Sequence, residues 1–493
     1  MSDTATMQTA AAGFSGEPLR TRNPRTGEID YEVPTPTPDE VTRIAAELRA
    51  AQRGWQELGL DGRLAVLAEF ADAVEAMAQE IGDAEAVDTG RYRVAHEVPY
   101  MVAAAVRDWR AKAPGIVESA ILEGRSSVFS DVKYTTRVEP YPLVGIISPW
   151  NHPFLLSATD AIPALIAGSA VLVKPSEVTP RFIEPLMAAV ARVPALAEVW
   201  RYIPGAGDVG RALIDTVDIL CFTGSVKTGR IVAEACARRF IPVFLELGGK
   251  DAAIVTASAD LEAAAAAVLK GAVHNTGQLC FSTERVYVAE EAYEPFVEAL
   301  VSQAERLELS WPDPRRGHLG PFIFERQPQI VDDHLRDALD RGATILTGGL
   351  SEEHDGGFYM RPTVVVGVDH SMRLMTEETF GPVIPVMPYR DVDEAIALAN
   401  DSEFGLSGAV IAGDEDEAVR IGERLNAGAI SLQDTSLTIG IMRDVEKVAF
   451  AGSGMGGSRM GPAAVLRFLR KKALIIREGA VVGMDQLGEG SAR

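Results

Sequence analysis

The stretch VGIISPWNHP at residues 144–153, which leads through the apolar segment 153–167 to AVLV at 170–173, decides the fold. Its two short runs rich in β-branched residues predict strands, and the longer segment between them predicts a helix. A strand, a helix and a second strand in this order form a right-handed crossover between parallel strands. We therefore predict a parallel sheet covered by helices on both faces, and the alternation continues through strands at 219–222 and 243–247 and a helix at 228–239.

A second series of strands and helices follows Ser282. It predicts a second α/β unit, with Cys280 near its start. The fold class expected is α/β, with two doubly wound parallel-sheet domains. Segments 128–141 and 471–477 look like strands that belong to neither unit, and a helical pattern begins near Asp39, which is predicted to be its N-cap. The strands predicted in the second series are 285–288, 363–366, 383–386 and 409–411.

The composition narrows the classes of partner. The 493 residues carry a formal net charge of -23, and no run of Lys or Arg stands out, so we expect no nucleic-acid partner. The three cysteines lack the paired spacing of a disulfide framework or a zinc site, which favours a reducing compartment and no metal. The first 20 residues predict a loose arm without a signal or transit peptide, and no apolar run reaches the ~20 residues of a membrane span. We expect a cytoplasmic protein.

Two glycine-rich motifs carry candidate reactive groups: ELGGK at 246–250 holds Glu246, and NTGQLC at 275–280 holds Cys280. A thiolate can capture a carbonyl carbon, and a carboxylate can then activate water to release the product. For Glu246, at the end of an apolar strand, the alternative is a structural ion pair with Lys250. For Cys280 the alternative is a small buried hydrophobic residue, as expected for Cys221 and Cys236.

Asn151 lies in the motif PWNHP, where two prolines stiffen the loop. Such a loop is compatible with a simple turn, but it can also hold a side-chain amide ready to donate to an oxyanion. The motif GAGDVG at 205–210 reads as a dinucleotide fingerprint, yet no acidic residue closes a second strand at the expected distance. We therefore do not assign the phosphate clamp to this motif.

These motifs, with KPSE at 174–177, FTGS at 222–225 and EETFGP at 377–382, resemble those of the NAD(P)-dependent aldehyde dehydrogenase superfamily. The resemblance runs in the family's order from NPRTGE at 23–28 to the glycines near Gly461, and it is to the non-acylating, cysteine-nucleophile type. It implies that Cys280 attacks an aldehyde, that Glu246 activates water, and that Asn151 and the Cys280 amide hold the oxyanion.

The resemblance also implies NAD as the cofactor, with NADP as a weaker alternative. Lys174 and Glu177 match residues that bond the adenosine ribose, Glu378 matches one that binds the nicotinamide ribose, and Phe380 matches one beside the nicotinamide. Gly224 and Ser225 would take the pyrophosphate at a helix N-terminus. The remaining cofactor contacts predicted are Ile147, Trp150, Ser176, Gly207 and Leu247.

The resemblance divides the chain into an NAD-binding domain, a catalytic domain and a small oligomerisation element with the C-terminal tail. The sequence departs from the family pattern near residues 434–457. In the family this region commonly lines the aldehyde tunnel, so the particular aldehyde is not predicted. A homodimer or homotetramer is expected, with strand 471–476 at an interface. Two alternatives remain, a CoA-acylating relative and a catalytically silent one. The predicted NAD-binding domain covers residues 1–125 and 142–247, and the catalytic domain covers 248–466. The oligomerisation element and the C-terminal tail cover 126–141 and 467–493.

Overall fold

The structure, a computed structural model, describes residues 14–481, 483 and 484. Two large sheets, each with its own apolar core, organise the described chain. Most of the predicted N-terminal arm and the end of the C-terminal tail lie outside the described residues. In the described part, strand Leu19–Arg22 already pairs with strand Ile29–Val33, so the arm ends before Leu19.

The first sheet has six strands, of which five are parallel and the sixth is an antiparallel edge strand. The parallel strands are buried almost throughout, as expected when helices cover both faces of a sheet. In spatial order the strands are Gly454–Met455, Val243–Glu246, Ile219–Thr223, Leu143–Ile147, Ala170–Lys174 and Trp200–Tyr202.

Helices that pack around the first sheet come mostly from the first half of the chain. Their bounds are Pro38–Glu57, Gly59–Ala76, Ala78–Thr89, Tyr92–Ser119, Pro153–Ala167, Ile183–Ala191, Pro194–Ala197, Gly207–Thr216, Val226–Arg239 and Ala463–Leu466.

The second sheet has seven strands, six parallel and one antiparallel at an edge. Its strands in spatial order are Thr344–Thr347, Thr363–Val366, Val383–Tyr389, Thr283–Ala289, Asp251–Val255, Ser407–Ile411 and Ala429–Leu432. Its helices are Leu261–Val273, Glu290–Ala304, Gln327–Asp340, Arg373–Thr376, Val392–Asn400 and Glu415–Gly422, with short 3₁₀ helices at His274–Gly277 and Leu437–Ile441.

The predicted α/β class with two parallel-sheet units is confirmed. Strands Glu123–Arg125, Val132–Pro140 and Leu469–Arg477 form a separate three-stranded antiparallel sheet. The remaining strands form two-stranded pairs, Glu352–His354 with Gly357–Tyr359 and Phe404–Gly405 with Phe450–Ala451.

Two sequence predictions differ from the structure. The first long helix is capped by Thr37, not Asp39: Thr37 Oγ1 accepts from the Glu40 amide at 3.3 Å, while Glu40 Oε2 accepts from the Thr37 amide at 2.7 Å. This reciprocal capping box satisfies the backbone amides of Thr37 and Glu40. The chain also returns to the first unit earlier than residue 466, because strand Gly454–Met455 joins the first sheet. The division into domains stays a prediction. The strand pairing indicates only that the chain has rejoined the first unit by Gly454.

Within residues 14–481, no helix is long and apolar enough to cross a membrane. The same described residues contain no group of three or more His, Cys, Asp or Glu side chains arranged to hold a metal ion.

Candidate active site

Cys280 follows a tightly held loop at the start of the second unit. Asn275, Thr276 and Gly277 are three successive residues with left-handed backbone, at φ 59°, 57° and 69°. Such a run is strained for side-chain-bearing residues and persists only where surrounding contacts hold it. The buried Gln278 supplies one set of contacts, since its side chain donates to the Asn275 and Pro321 carbonyls at 3.3 Å and accepts from the Ile323 amide at 2.9 Å. The loop presents Cys280 half-buried.

Burial raises the pKa of the Cys280 thiol to about 12. The ammonium of Lys447 acts in the opposite direction, whereas the carboxylates of Glu246, Glu378 and Asp251 raise the pKa further. This shift favours the protonated thiol, which must lose its proton before it can attack a carbonyl carbon.

Glu246 ends strand Val243–Glu246 and lies at the same edge as the Cys280 loop. A Cβ atom at Gly249 would collide with the Cys280 carbonyl oxygen, so the glycines after Glu246 allow this close backbone approach. The Glu246 side chain is only 13% exposed, and Lys447 Nζ lies 3.7 Å from its Oε2. The alternative ion pair with Lys250 is not formed, because Lys250 bonds Glu284 Oε2 at 2.8 Å and Thr379 Oγ1 at 2.9 Å.

Asn151 is buried in the loop between strand Leu143–Ile147 and helix Pro153–Ala167. Its Nδ2 donates to the Gln278 carbonyl at 2.9 Å, which brings the amide beside the chain that leads to Cys280. Nδ2 carries two N–H groups, and one of them is committed to Gln278. Arg91 also fixes the loop, since its Nη2 donates to the Asn151 carbonyl at 2.9 Å. Three segments far apart in sequence thus bring Cys280, Glu246 and Asn151 together.

Several predicted cofactor residues lie where the parallel strands of the first sheet end. Ile147 is paired with Lys174 and Phe222, and Thr223 is paired with Glu246, so these strand ends are aligned. Ligands bind at this edge in open α/β sheets. Ser176, Gly224 and Leu247 follow three of these strand ends, at the same edge.

The two helix starts at this edge offer free backbone amides. Gly207 opens helix Gly207–Thr216. Ser225 caps helix Val226–Arg239 by accepting from the Thr228 amide at 3.3 Å. Helix N-termini attract anions such as phosphate groups. Lys174, which is buried, donates to Glu177 Oε2 at 3.1 Å, and Glu177 is 49% exposed.

The segment that carries Glu378 and Phe380 reaches the site from the second unit. Glu378 Oε1 accepts from the Gly249 amide at 3.1 Å, and burial raises the pKa of its carboxyl to about 8. Phe380 has left-handed backbone and packs edge-on against Trp150, with ring centroids 5.4 Å apart. The buried Glu284 holds this turn, since its carboxylate accepts from the Thr379 and Phe380 amides.

Four charged residues near the site were not among the predicted site residues. Asp160 is buried and pairs with two buried arginines, Arg459 at 2.9 Å and Arg467 at 2.5 Å. Arg459 also donates to Thr223 Oγ1 at 3.1 Å. Lys447, against Glu246, is the fourth. No local motif marks these residues, because each pair joins segments about 200 to 310 residues apart in the chain.

The sequence model described as the aldehyde dehydrogenase family matches residues 12–474, and the chain belongs to this family. A protein of Mycolicibacterium smegmatis, named as a proposed succinate-semialdehyde dehydrogenase that uses NADP(+), is 36% identical over 412 residues, 83% of this chain and 79% of that protein. The geranial dehydrogenase of Castellaniella defragrans is 35% identical over 463 residues, 92% of this chain and 94% of that enzyme. The structure of a proposed aldehyde dehydrogenase of Anabaena variabilis, PutA, superposes with a TM-score of 0.92 at 48% identity, covering 95% of this chain and 99% of that one.

The resemblance seen in the motifs is confirmed. The named relatives differ in what they act on, since one is named for a semialdehyde and another for geranial. Membership in the family therefore identifies an aldehyde dehydrogenase without naming its aldehyde or deciding between NAD and NADP.

Proposed function

We propose that this protein oxidises an aldehyde to a carboxylic acid with NAD, through a thiohemiacetal and a thioester on Cys280. The observation that carries the proposal is the convergence of Cys280, Glu246 and Asn151 from three distant segments. This set supplies a nucleophile, a base and an oxyanion donor, which are the groups that acyl chemistry on a thiol requires.

The first step is addition of the Cys280 sulfur to the carbonyl carbon. The thiol proton passes to water or to Glu246, the C–S bond forms, and the carbonyl oxygen becomes an oxyanion. The second N–H of Asn151 Nδ2 and the backbone N–H of Cys280 hold that oxygen. Donors fixed before the reaction are worth roughly 3 kcal/mol of barrier each, and the bonds to Gln278 and from Arg91 fix Asn151 in this way.

Bound NAD supplies the hydride acceptor, and loss of hydride from the thiohemiacetal leaves a thioester. The chain's residues fit this cofactor: the start of the helix that Ser225 caps would hold the pyrophosphate, and Gly207 allows close backbone contact. Glu177 offers a carboxylate to a ribose hydroxyl, and the Trp150 and Phe380 rings provide an apolar wall.

Glu246 then takes a proton from water, and the hydroxide that results attacks the thioester carbon. The C–S bond breaks, Glu246 returns its proton to the Cys280 thiolate, and the carboxylic acid leaves. The side chain of Glu246 is largely shielded, and Lys447 stands beside it as a counter-ion. This arrangement supports hydrolysis rather than transfer of the acyl group to CoA, because a CoA-acylating enzyme has no use for a water-activating base.

The proposal extends to assembly and location. Strand Leu469–Arg477 pairs on one side with Val132–Pro140, and its other side is the edge of the three-stranded sheet. Ile475 on that strand is 71% exposed, and an apolar edge strand of this length pairs readily with a second copy. A homodimer or homotetramer is proposed, to be checked by light scattering.

All three cysteines are free thiols, which supports a reducing location such as the cytoplasm.

The test is aldehyde-dependent NADH formation by the purified protein, with and without CoA. We expect formation without CoA, its loss in Cys280→Ala, and its retention in the matched control Cys236→Ala, whose thiol is buried in helix Val226–Arg239. Dependence on CoA would reassign the reaction as acylating. Undiminished turnover in Cys280→Ala would reject the mechanism, and no turnover on any aldehyde of a broad panel would favour a silent relative.

A second experiment addresses Glu246. If the Cys280 thiol ionises without help from Glu246, Glu246→Gln is expected to give a burst of NADH followed by a slow phase, because only hydrolysis of the thioester then needs an activated water. An unchanged steady-state rate would show that another base does this work. Loss of the burst would show that Glu246 also takes the proton of Cys280.

A further inference from the structure

Lys447 occupies an unusual position for a lysine. Its side chain is 10% exposed, and its Nζ lies 3.7 Å from Glu246 Oε2. That separation is within ion-pair range but too long for a hydrogen bond. Among the described residues Nζ has no hydrogen-bond partner, although an ammonium group has three donors to satisfy. A largely shielded ammonium with uncommitted donors can take a second anionic partner at the same place.

The backbone fixes Lys447 in this position. The Lys447 amide donates to Ser458 Oγ at 3.2 Å, and Ser458 is followed by Arg459, which is bonded to Asp160. Between Lys447 and Ser458, strand Gly454–Met455 pairs directly with Leu245 and Glu246. The segment that follows Lys447 is therefore anchored to the first unit, which keeps the Lys447 ammonium close to Glu246.

The second anion is provided by the reaction itself. Cys280 must lose its proton to attack, and its thiolate would then face the carboxylate of Glu246 and the carboxyl groups of Glu378 and Asp251. Like charges at such a site oppose ionisation. The other cation that faces this region, Arg459, donates through Nη1 to Thr223 and through Nη2 to Asp160, and its Nε has no hydrogen-bond partner among the described residues. Lys447 is the cation that lies directly against Glu246.

We propose that Lys447 is the shared counter-ion of Glu246 and Cys280, paired with the carboxylate at rest and taking the thiolate as a second partner when it forms. This role rests on the proposed function. Lys447 acts through two reactive groups, and it is a positioning residue in this scheme. Lys447 lies against Glu246, and the glycines that follow Glu246 lie against the Cys280 backbone. The lowering effect of Lys447 on the pKa of the Cys280 thiol agrees with this placement.

The experiment measures the rate at which iodoacetamide alkylates Cys280 across the neutral to alkaline range, in the full chain without aldehyde, by mass spectrometry of the Cys280 peptide. Iodoacetamide is uncharged, so the reagent itself is not attracted by Lys447. In Lys447→Met we expect alkylation about tenfold slower or more at each pH below the thiol's inflection, because removal of one nearby charge raises a pKa by about one unit or more. Lys447→Arg is expected to restore most of the rate.

The matched control is Lys112→Met. Lys112 forms ion pairs with Asp444 at 2.5 Å, in the same segment as Lys447, and with Asp108 at 3.0 Å. Neither ion pair involves Glu246 or Cys280. We expect its alkylation profile to match that of the parent. A Lys447→Met profile equal to the parent's, or an equal change in Lys112→Met, would overturn the proposal.

Kinetics provide a second readout. The kcat/KM of Lys447→Met is expected to fall at neutral pH and to recover toward the parent's value at alkaline pH, whereas a merely structural defect would not recover. Failure of this proposal is distinguishable from failure of the proposed function. If the parent forms NADH in a Cys280-dependent way and Lys447→Met behaves like it, only the counter-ion role is lost. Absence of Cys280-dependent NADH formation would reject the function itself.

Discussion

Glu177 is the residue from which we expect the choice between NAD and NADP to follow. Its carboxylate lies just beyond the end of strand Ala170–Lys174, and one oxygen accepts from Lys174 Nζ at 3.1 Å. In the proposed pose the carboxylate accepts from the free 2′-hydroxyl of NAD. The 2′-phosphate of NADP would meet it as a like charge, so the perturbation of interest is Glu177→Gln, which keeps the shape and removes the charge.

The expected size of the preference for NAD over NADP follows from the charge of Glu177 and from its exposure to water. Two unit charges ~4 Å apart at an effective dielectric of ~20 interact by about 4 kcal/mol, or roughly a thousandfold in affinity. Glu177 is 49% exposed, and Lys174 neutralises part of its charge, so solvent screening reduces this ceiling. We expect about 1 to 2 kcal/mol, which corresponds to a preference for NAD of about 5- to 30-fold.

The assay compares kcat/KM for NAD and NADP with one aldehyde. In Glu177→Gln the ratio is expected to narrow by about tenfold, mainly through a lower KM for NADP. Glu184→Gln, an exposed carboxylate in the first turn of helix Ile183–Ala191, is the matched control and should leave the ratio unchanged. Equal use of both cofactors by the parent, or an unchanged ratio in Glu177→Gln, would refute the placement of Glu177 at the ribose.

Two further predictions concern buried charges. Asp160→Asn leaves the side chains of Arg459 and Arg467 buried without a counter-ion, so we expect the free energy of unfolding in denaturant to fall by about 3 to 5 kcal/mol. The control Asp72→Asn, at an exposed ion pair, should lower it by less than about 1 kcal/mol. Equal effects of the two substitutions would contradict the reasoning. Burial raises the pKa of Glu85 to about 8 from an ordinary 4.5, so its contribution to stability is complete below about pH 4.5 and declines toward pH 8. Glu85→Gln should abolish that decline, on the order of 3 to 5 kcal/mol, and parallel pH–stability curves would refute it.

Much of the fold could be predicted because it depends on local patterns. Buried parallel strands such as Ala170–Lys174 are continuous apolar runs, and the helices between them carry apolar residues at helical spacing. The cap at Thr37 was missed because Asp39 is an equally good cap by type. Only the position of Pro38 at the first helical residue, together with the reach of Glu40, distinguishes the two.

The early return of the chain to the first sheet could not be predicted for a different reason. Strand Gly454–Met455 has two residues and several neighbouring glycines, so it carries no periodic pattern. Its pairing with Leu245 and Glu246 depends on backbone hydrogen bonds across more than 200 residues of chain. Short strands of this kind are decided by the sheet that receives them.

The sequence by itself determined the α/β class, the order of the strands along the chain, and the identity of the candidate nucleophile, base and oxyanion donor. Each of these is carried by residue type and by spacing over a few positions. Cys280, Glu246 and Asn151 all stand in short glycine- or proline-containing motifs that mark them directly.

Only the tertiary structure decided which charges surround those groups. Lys447 at Glu246, two arginines on Asp160, and Lys250 turned away to Glu284 are contacts between segments far apart in the chain. Coulomb interactions depend on distance in space and on shielding from water, and neither is encoded in local spacing. The environment that controls the Cys280 thiol was therefore readable only once the two units were seen packed together.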